Sequence, residues 1–301
     1  MYSFSYGKGD GDIISLEKFV PHDYNQFDEE FKQQITPEVY AQYVNLYNAI
    51  KDVEFFKIFY MSDGFKVAGI LAKPKKIDKK CSVLIYNRGG YKESGKLEVV
   101  YIYNELYYLA NSGYVVLASQ YRGVDGGEGI EECGGIEIND VLNLIKTADT
   151  LDYIDTRNIF MIGFSRGGMM TYLALKHKAP INAAVVIAGI SDLTMFARMR
   201  PDAEKGILEK AIPGVLKNKE KEYKDRSVVC WPDVINKPIL LMHNQHDSII
   251  SVEQSKALAL ILEFGKKPYE LVIYDDTRHI LDKFKEEAHK KIISWLDQYK
   301  K

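Results

Sequence analysis

The sequence predicts an α/β protein with a mostly parallel central sheet and helices on both of its faces. Short, nearly all-apolar runs are typical of strands buried on both faces of a parallel sheet. Such runs occupy residues 81–87, 114–121, 158–164, 181–189, 237–244 and 269–276. Segments with the apolar spacing of helices alternate with them, at residues 96–113, 136–151, 251–265 and 280–299 and directly after residue 165. This alternation is typical of β-α-β units with right-handed crossovers.

The first part of the chain adds a hairpin and one helix to this pattern. Residues 53–74 contain two runs rich in β-branched and aromatic residues, joined by the turn sequence Ser62-Asp63-Gly64. "PEVYAQYVNLYNAIKDV" predicts a helix capped by Thr36, with Pro37 at its first position. We therefore predict an N-terminal extension, residues 1–52, that is helical and packed on a main domain formed by residues 53–301.

Residues 191–232 interrupt the alternation after the run at 181–189. This insertion is rich in charged residues and contains only short amphipathic pieces. Ligands of open α/β sheets bind at the carboxyl ends of the strands, where an insertion of this kind can act as a lid. A solvated connection explains the pattern equally well.

Composition excludes several classes of function. The chain has 301 residues, 46% of them hydrophobic, and its 40 basic and 42 acidic residues give a net charge of −2. This balance gives no electrostatic reason to expect nucleic acid or an anionic membrane as partner. The N-terminus lacks the pattern of a secretory signal, and no apolar run is long enough to span a bilayer. The three cysteines form no C-x-x-C pair, so we expect a cytoplasmic protein with reduced thiols.

A serine between glycines is the most informative motif. Gly163-Phe164-Ser165-Arg166-Gly167 has the form G-x-S-x-G and stands between a predicted strand and a predicted helix. Glycines on both sides let a strained turn pass close to its neighbours, so that the serine projects above the sheet. We predict that Ser165 is a nucleophile; the alternative is that it only caps the following helix.

An activated serine requires a histidine and a carboxylate. Asp247 follows the apolar run that ends in "LLMHN", and His279 follows the last run. The order Ser165, Asp247, His279 is that of an α/β-hydrolase, in which the histidine is the general base and the aspartate orients it. His243 and His246 beside Asp247 also allow a metal-site interpretation, but no matching ligand cluster accompanies them. We predict no metal ion and no cofactor.

The motifs together resemble the catalytic domain of the prolyl oligopeptidase family, within the α/β-hydrolase superfamily. The resemblance covers roughly residues 53–299 and rests on "YNRGGY", "SQYRGVDGGEG", "GFSRGG", "KPILLMHNQHDSIISVEQSKAL" and "YELVIYDDTRH" in this order. It implies a serine hydrolase that acts through an acyl-enzyme. Asn244 departs from the family pattern, because relatives usually have glycine there.

The resemblance also implies an oxyanion hole. One donor is the backbone N–H of Arg166, and the second comes from the loop that contains Arg88 and Gly89. Whether the N–H or the guanidinium of Arg88 serves is open, because relatives often carry His or Tyr at that position. We further predict a substrate pocket bounded by apolar and aromatic side chains: Tyr91, Tyr121, Phe164, Met195, Phe196 and Met199.

The predicted function is cleavage of an ester or short-peptide bond. No β-propeller is expected ahead of the domain, so access need not be restricted to peptides, and a small-molecule ester is an equally good substrate. Two alternatives remain: an acyltransferase with the same triad, and an inactive binding protein that keeps the fold. The tyrosine-rich helix of the N-terminal extension packs on the domain, shields the site, or makes a subunit contact in a homo-oligomer.

Overall fold

The computed structural model describes residues 2–3, 9–19, 37–49, 51–98 and 101–301. Its central feature is a ten-stranded sheet in the order β1-β2-β3-β4-β6-β5-β7-β8-β9-β10. The strands are β1 Tyr2–Ser3, β2 Ile13–Lys18, β3 Val53–Ser62, β4 Phe65–Pro74, β5 Cys81–Asn87, β6 Val115–Ser119, β7 Ile154–Phe164, β8 Ala183–Ile187, β9 Ile239–Asn244 and β10 Tyr269–Tyr274.

The pairing of neighbouring strands changes once along the sheet, from antiparallel to parallel. The strands from β1 to β4 pair antiparallel, and β4 also pairs antiparallel with β6. From β6 through β10, all neighbours in the sheet are parallel. The predicted α/β fold with a mostly parallel sheet is therefore confirmed. Because the parallel strands share one direction, the loops after β5, β7, β9 and β10 all emerge at the same edge.

Helices cover both faces of this sheet. The helices of the described residues are α1 Pro37–Ala49, α2 Tyr107–Asn111 preceded by the π-helical turn Ile102–Leu106, α3 Ile138–Asp149, α4 Arg166–Lys176, α5 Leu193–Met199, α6 Lys219–Arg226, α7 Glu253–Phe264 and α8 Lys285–Asp297. Side chains of α3, α4 and α7 pack on one face, and those of α2 and α8 pack on the other. Alternate residues of each parallel strand belong to the two resulting cores, as in β5, where Val83 and Leu84 face opposite ways.

The first part of the chain forms the β3–β4 hairpin and the N-terminal extension. The turn between β3 and β4 has positive φ at Asp63 (51°) and Gly64 (79°), the conformation that two-residue hairpin loops favour. The extension contains α1 as predicted, but it also contains β1 and β2, which continue the sheet beyond β3. The predicted cap Thr36 lies outside the described residues.

The insertion at residues 191–232 contributes side chains to the hydrophobic core and leaves others exposed. It consists of α5, α6 and short helical turns at Pro201–Ala203, Glu204–Leu208, Glu209–Ala211, Val228–Cys230 and Pro232–Val234. Leu193, Leu208 and Val228 from these pieces join the core on the side of α4. Among the residues that the structure describes, no helix has both the length and the apolar character needed to cross a membrane.

Candidate active site

Ser165 occupies the sharp turn between β7 and α4. Its backbone dihedrals are φ 57° and ψ −123°, in a region that costs a non-glycine residue about 1–3 kcal/mol. The turn is held by a hydrogen bond from the N–H of Ser165 to the carbonyl oxygen of Ile187, 2.9 Å long. The side chain makes no capping hydrogen bond to α4. The hydroxyl is therefore presented at the carboxyl edge of the sheet without serving to begin the helix.

The two glycines of the motif are required by close backbone contacts. A Cβ atom on Gly167 would lie 1.9 Å from the carbonyl oxygen of Asn87, and one on Gly163 would lie 2.2 Å from the carbonyl oxygen of Gly167. Real Cβ contacts of this length do not occur, so any larger residue would force β5, β7 and α4 apart. The strained turn exists because both positions lack a side chain.

His279 and Asp247 form a tight pair at the same edge. Nδ1 of His279 lies 2.6 Å from Oδ2 of Asp247, and Oδ1 accepts hydrogen bonds from the N–H groups of Ile249 (2.8 Å) and Ile250 (3.0 Å). Burial alone would raise the pKa of Asp247, but His243 and His279 beside the carboxylate lower the pKa below its usual value. The charged carboxylate thus fixes the Nδ1–H tautomer of His279.

The second ring nitrogen of His279 is left available. Nε2 is buried and has no hydrogen-bond partner among the described residues. The ring of Phe164, the residue before Ser165, lies against the imidazole with 4.8 Å between the ring centroids. This contact places the imidazole ring next to Phe164, the residue before Ser165. An unpaired acceptor at this position is what a general base for the serine hydroxyl requires.

The loop after β5 lies directly against Ser165. A Cβ atom on Gly89 would be 3.0 Å from the Cβ of Ser165 and 3.2 Å from the carbonyl oxygen of Phe164. The guanidinium of Arg88 is turned elsewhere: Nε donates to the carbonyl oxygen of Gln120 (3.0 Å) and Nη1 to that of Gly89 (3.0 Å). The backbone of this loop therefore lies against Ser165, whereas hydrogen bonds hold the Arg88 side chain elsewhere.

Two buried arginines meet two buried glutamates next to the serine turn. Arg166 contacts Glu131 and lies 3.4 Å from Glu137, and Arg88 lies 3.4 Å from Glu131. Both guanidinium groups lie 4.7 Å from the ring centroid of Tyr121. Burial, assisted by repulsion from Arg166, lowers the pKa of Arg88 to about 10. Burial opposes the charge of Arg166 as well, but Glu131 and its neighbours raise that pKa above its ordinary value.

The family is identified by comparison with known proteins. Residues 100–301 match the model of the prolyl oligopeptidase family. The chain is also 30% identical over 250 residues to the uncharacterized peptidase YtmA of Bacillus subtilis, an alignment that covers 83% of this chain and 94% of that protein. The chain belongs to the prolyl oligopeptidase family. It is a peptidase-like serine hydrolase, as the sequence predicts.

One further relative and two solved structures resemble this chain. Dipeptidyl-peptidase 5 of Porphyromonas gingivalis is 26% identical over 255 residues, which are 80% of this chain but only 37% of that protein. The acylaminoacyl peptidase of Pyrococcus horikoshii superimposes with a TM-score of 0.69 at 21% identity, over 85% of this chain and 43% of its own. An esterase of Pyrococcus furiosus gives a TM-score of 0.66 at 18% identity, over 84% and 93% of the two chains. The last two show the shared α/β-hydrolase fold.

The histidines near Asp247 have other roles in this family member. His243 is buried; its Nε2 lies 2.9 Å from the carbonyl oxygen of Ile250, to which it donates, and its Nδ1 lies 2.7 Å from Oγ of Ser255. His246 is exposed and lies 3.6 Å from Asp275. The described part of the chain contains no group of three or more His, Cys, Asp or Glu side chains placed to hold a metal ion. Nε2 of His243 also lies 3.5 Å from Oδ2 of Asp247.

The predicted pocket residues on the main domain lie in different environments. Tyr121 is fully buried, and its hydroxyl donates to the carbonyl oxygen of Arg88 (3.1 Å). Tyr91 is half-buried against the core. Phe164 lines a cavity of about 530 Å³ whose walls include Tyr86, Ile187 and Ile280. Of these three predicted pocket residues, only Phe164 lines this cavity.

The predicted pocket residues of the insertion all come from α5. Phe196 is half-buried and packs against the core, Met195 is half-buried, and Met199 is 55% exposed. Their side chains therefore range from the core to open solvent along one short helix.

Asn244 is a site residue whose role the sequence does not reveal. It is the last residue of β9, and its Nδ2 donates to the carbonyl oxygens of Arg278 (2.8 Å) and Ile280 (2.9 Å). These two residues flank His279, so the amide holds the histidine loop from both sides. Only its position could have indicated this role. Asn244 ends β9, and β9 pairs with β10, the strand that precedes His279.

Proposed function

We propose that the protein cleaves esters or short peptides through a covalent acyl-enzyme formed on Ser165. The observation that carries this proposal is the tight Asp247–His279 pair, which leaves Nε2 of the imidazole unpartnered in a ring that packs against Phe164, the residue before the strained turn at Ser165. In resting enzymes the hydrogen bond between nucleophile and base is often long and shortens when substrate binds. The arrangement is therefore compatible with activation on substrate binding.

Each residue has a defined role in the proposed reaction. Nε2 of His279 takes the proton of Ser165 as Oγ forms a bond to the carbonyl carbon, and it then donates this proton to the departing oxygen or nitrogen. Water, deprotonated by the same nitrogen, attacks the acyl carbon, and the acid is released as its bond to Oγ of Ser165 breaks and Oγ takes the proton back from Nε2. The Asp247 carboxylate keeps Nδ1 protonated and stabilises the imidazolium that forms in each step.

The oxyanion of the tetrahedral intermediate is proposed to bind backbone N–H groups. Arg166 begins α4 and supplies one donor. The loop residues Arg88 and Gly89 supply the second, because their backbone lies against Ser165 while the guanidinium of Arg88 is engaged with Gln120 and Gly89. Loss of one such donor typically lowers turnover on the order of a hundredfold or more.

The substrate is proposed to be an amide or ester of small size. The named relatives are peptidases, which favours short peptides, whereas one fold neighbour of similar length is an esterase. A panel of short peptide amides and simple esters, compared by kcat/KM, would separate these two classes.

Labelling with a fluorophosphonate probe tests the nucleophile. Intact mass and peptide mapping should show one adduct, located on Ser165, and the Ser165→Ala variant should show none. Absence of an adduct on folded wild-type protein would contradict the proposed function and would favour a binding protein with the same fold.

A further inference from the structure

The cavity that Phe164 lines lies beside the proposed triad. Its volume is about 530 Å³, within the range of pockets that hold small ligands. Tyr86, Phe164 and Ile187 from the ends of β5, β7 and β8 line it together with Ile292 of α8 and Ile280 of the histidine loop. Most of these side chains are apolar, so the cavity suits an uncharged group.

The position of the cavity relative to the proposed catalytic groups defines which part of a substrate it meets. Ile280 and Leu281, which line it, directly follow His279, and the ring of Phe164 contacts the imidazole. None of residues 88–91, which form the loop proposed to bind the oxyanion, lines it. The cavity is therefore on the side of the histidine, the group that protonates the departing atom.

The charged residues at the cavity are already paired. Glu105 lies 3.1 Å from Lys285, Glu98 lies 3.3 Å from Lys96, and Asp282 lies 3.7 Å from Arg278. The Glu98 and Asp282 side chains are largely exposed to solvent (66% and 44%), and the less exposed Glu105 carboxylate is neutralised by Lys285. The lining therefore gives no reason to expect a charged substrate group.

We infer that this cavity binds an uncharged apolar group on the leaving-group side of the scissile bond. In an ester this group is the alcohol chain, and in a peptide it is the side chain that follows the cleaved bond. The inference rests on the proposed function, because the leaving-group side is defined by His279 as the proton donor.

A series of acetate esters with alcohols from methyl to octyl tests the inference. All members form the same acetyl-enzyme, so a difference in kcat/KM reports acylation and not release of acetate. Burial of each added methylene should raise kcat/KM by up to about fourfold until the cavity is filled. A matching series of methyl esters with longer acyl chains should show a smaller gain. An equal response of the two series, or no response to alcohol length, would overturn the inference.

Two variants test whether the dependence of kcat/KM on alcohol length arises from this cavity. Ala288→Phe fills the cavity from α8 and should reduce the octyl-to-methyl ratio of kcat/KM at least tenfold. Ala259→Phe on α7 adds the same side chain to a helix on the opposite sheet face and should keep the ratio. If Ala288→Phe does not fold, Ile292→Val provides the test, because a larger cavity should shift the preferred alcohol to a longer chain. An unchanged ratio in folded Ala288→Phe, or an unchanged preference in Ile292→Val, would overturn the inference.

The two proposals can fail separately. Fluorophosphonate labelling of Ser165 does not depend on alcohol length. Labelled protein that shows no preference for longer alcohols would refute the role of the cavity and leave the proposed acyl-enzyme intact. Unlabelled, folded protein without esterase activity would refute both.

Discussion

Replacement of Asn244 by alanine should weaken both the fold and turnover. The change removes two hydrogen bonds, to the carbonyl oxygens of Arg278 and Ile280, of 2.8 and 2.9 Å. Each such bond contributes about 0.5–1.5 kcal/mol to stability, so the free energy of unfolding should fall by about 1–3 kcal/mol. His279 lies between the two released carbonyls, and a displacement of about 1 Å in such a group lowers turnover on the order of a hundredfold.

A matched amide elsewhere separates the two effects. Asn182 also donates from Nδ2 to two carbonyl oxygens, those of Arg157 (3.1 Å) and Tyr299 (3.2 Å). It precedes β8, so it lies at the opposite edge of the sheet from the histidine loop. Asn182→Ala should therefore lose comparable stability and keep wild-type kcat/KM.

Urea denaturation and ester hydrolysis measure the two quantities on the same protein samples. The expected result is a loss of stability in both variants and a loss of kcat/KM in Asn244→Ala alone. If Asn244→Ala kept full activity, or if Asn182→Ala lost as much activity as Asn244→Ala, the proposed positioning of His279 by Asn244 would be refuted.

Four other predictions concern the proposed triad, its support and metal dependence. Ser165→Ala and His279→Ala should each abolish turnover with the fold retained, and the double variant should be no slower than either one; an additive loss would show that the two act independently. Gly167→Ala should unfold the protein or cost several kcal/mol, since its Cβ would meet a carbonyl oxygen at 1.9 Å, whereas Gly206→Ala, which meets nothing within 4 Å, should change stability by less than about 1 kcal/mol. The pKa of Asp247 is lower in the folded than in the unfolded protein, so unfolding takes up a proton as the pH falls toward the unfolded-state pKa, and stability should decrease as the pH falls below about 5. Asp247→Asn should show a shallower decrease in urea titrations. Incubation with EDTA should leave ester hydrolysis unchanged, and inactivation would revive the metal interpretation.

The parallel part of the sheet is predictable because its strands are buried on both faces. The run "CSVLIYN" gives β5 with both ends correct, since its boundaries coincide with the change from apolar to polar residues. Strand β2 is different: "IISLEK" is half-exposed, and its two charged residues at the end mask the pattern. An exposed strand of this kind is recognised only through its pairing partner, here β3.

Some residues of the candidate site are likewise predictable from the sequence, and others are not. Ser165, Asp247 and His279 each belong to a local pattern, a motif or a strand end, so the sequence is sufficient to nominate them. The role of Asn244 depends on a contact across 34 residues of chain, and no local pattern records it. The engagement of the Arg88 guanidinium with Gln120 is likewise a long-range contact, across 32 residues. Local sequence patterns therefore identify the candidate catalytic residues, whereas the residues that hold them in position are identified only from contacts in the folded chain.

The buried cluster of Arg88, Arg166, Glu131 and Glu137 has a consequence for how this protein can change over time. The two positive and two negative groups compensate one another, so loss of any single one leaves an unpaired charge in the interior, at a cost of about 3–5 kcal/mol. Removal of an oppositely charged pair avoids most of that cost. Loss of Arg88 together with Glu131 leaves Arg166 paired with Glu137. Among descendants of this sequence, substitutions at positions 88 and 131 should therefore occur together, and a laboratory library that varies one position at a time would wrongly score both as immutable.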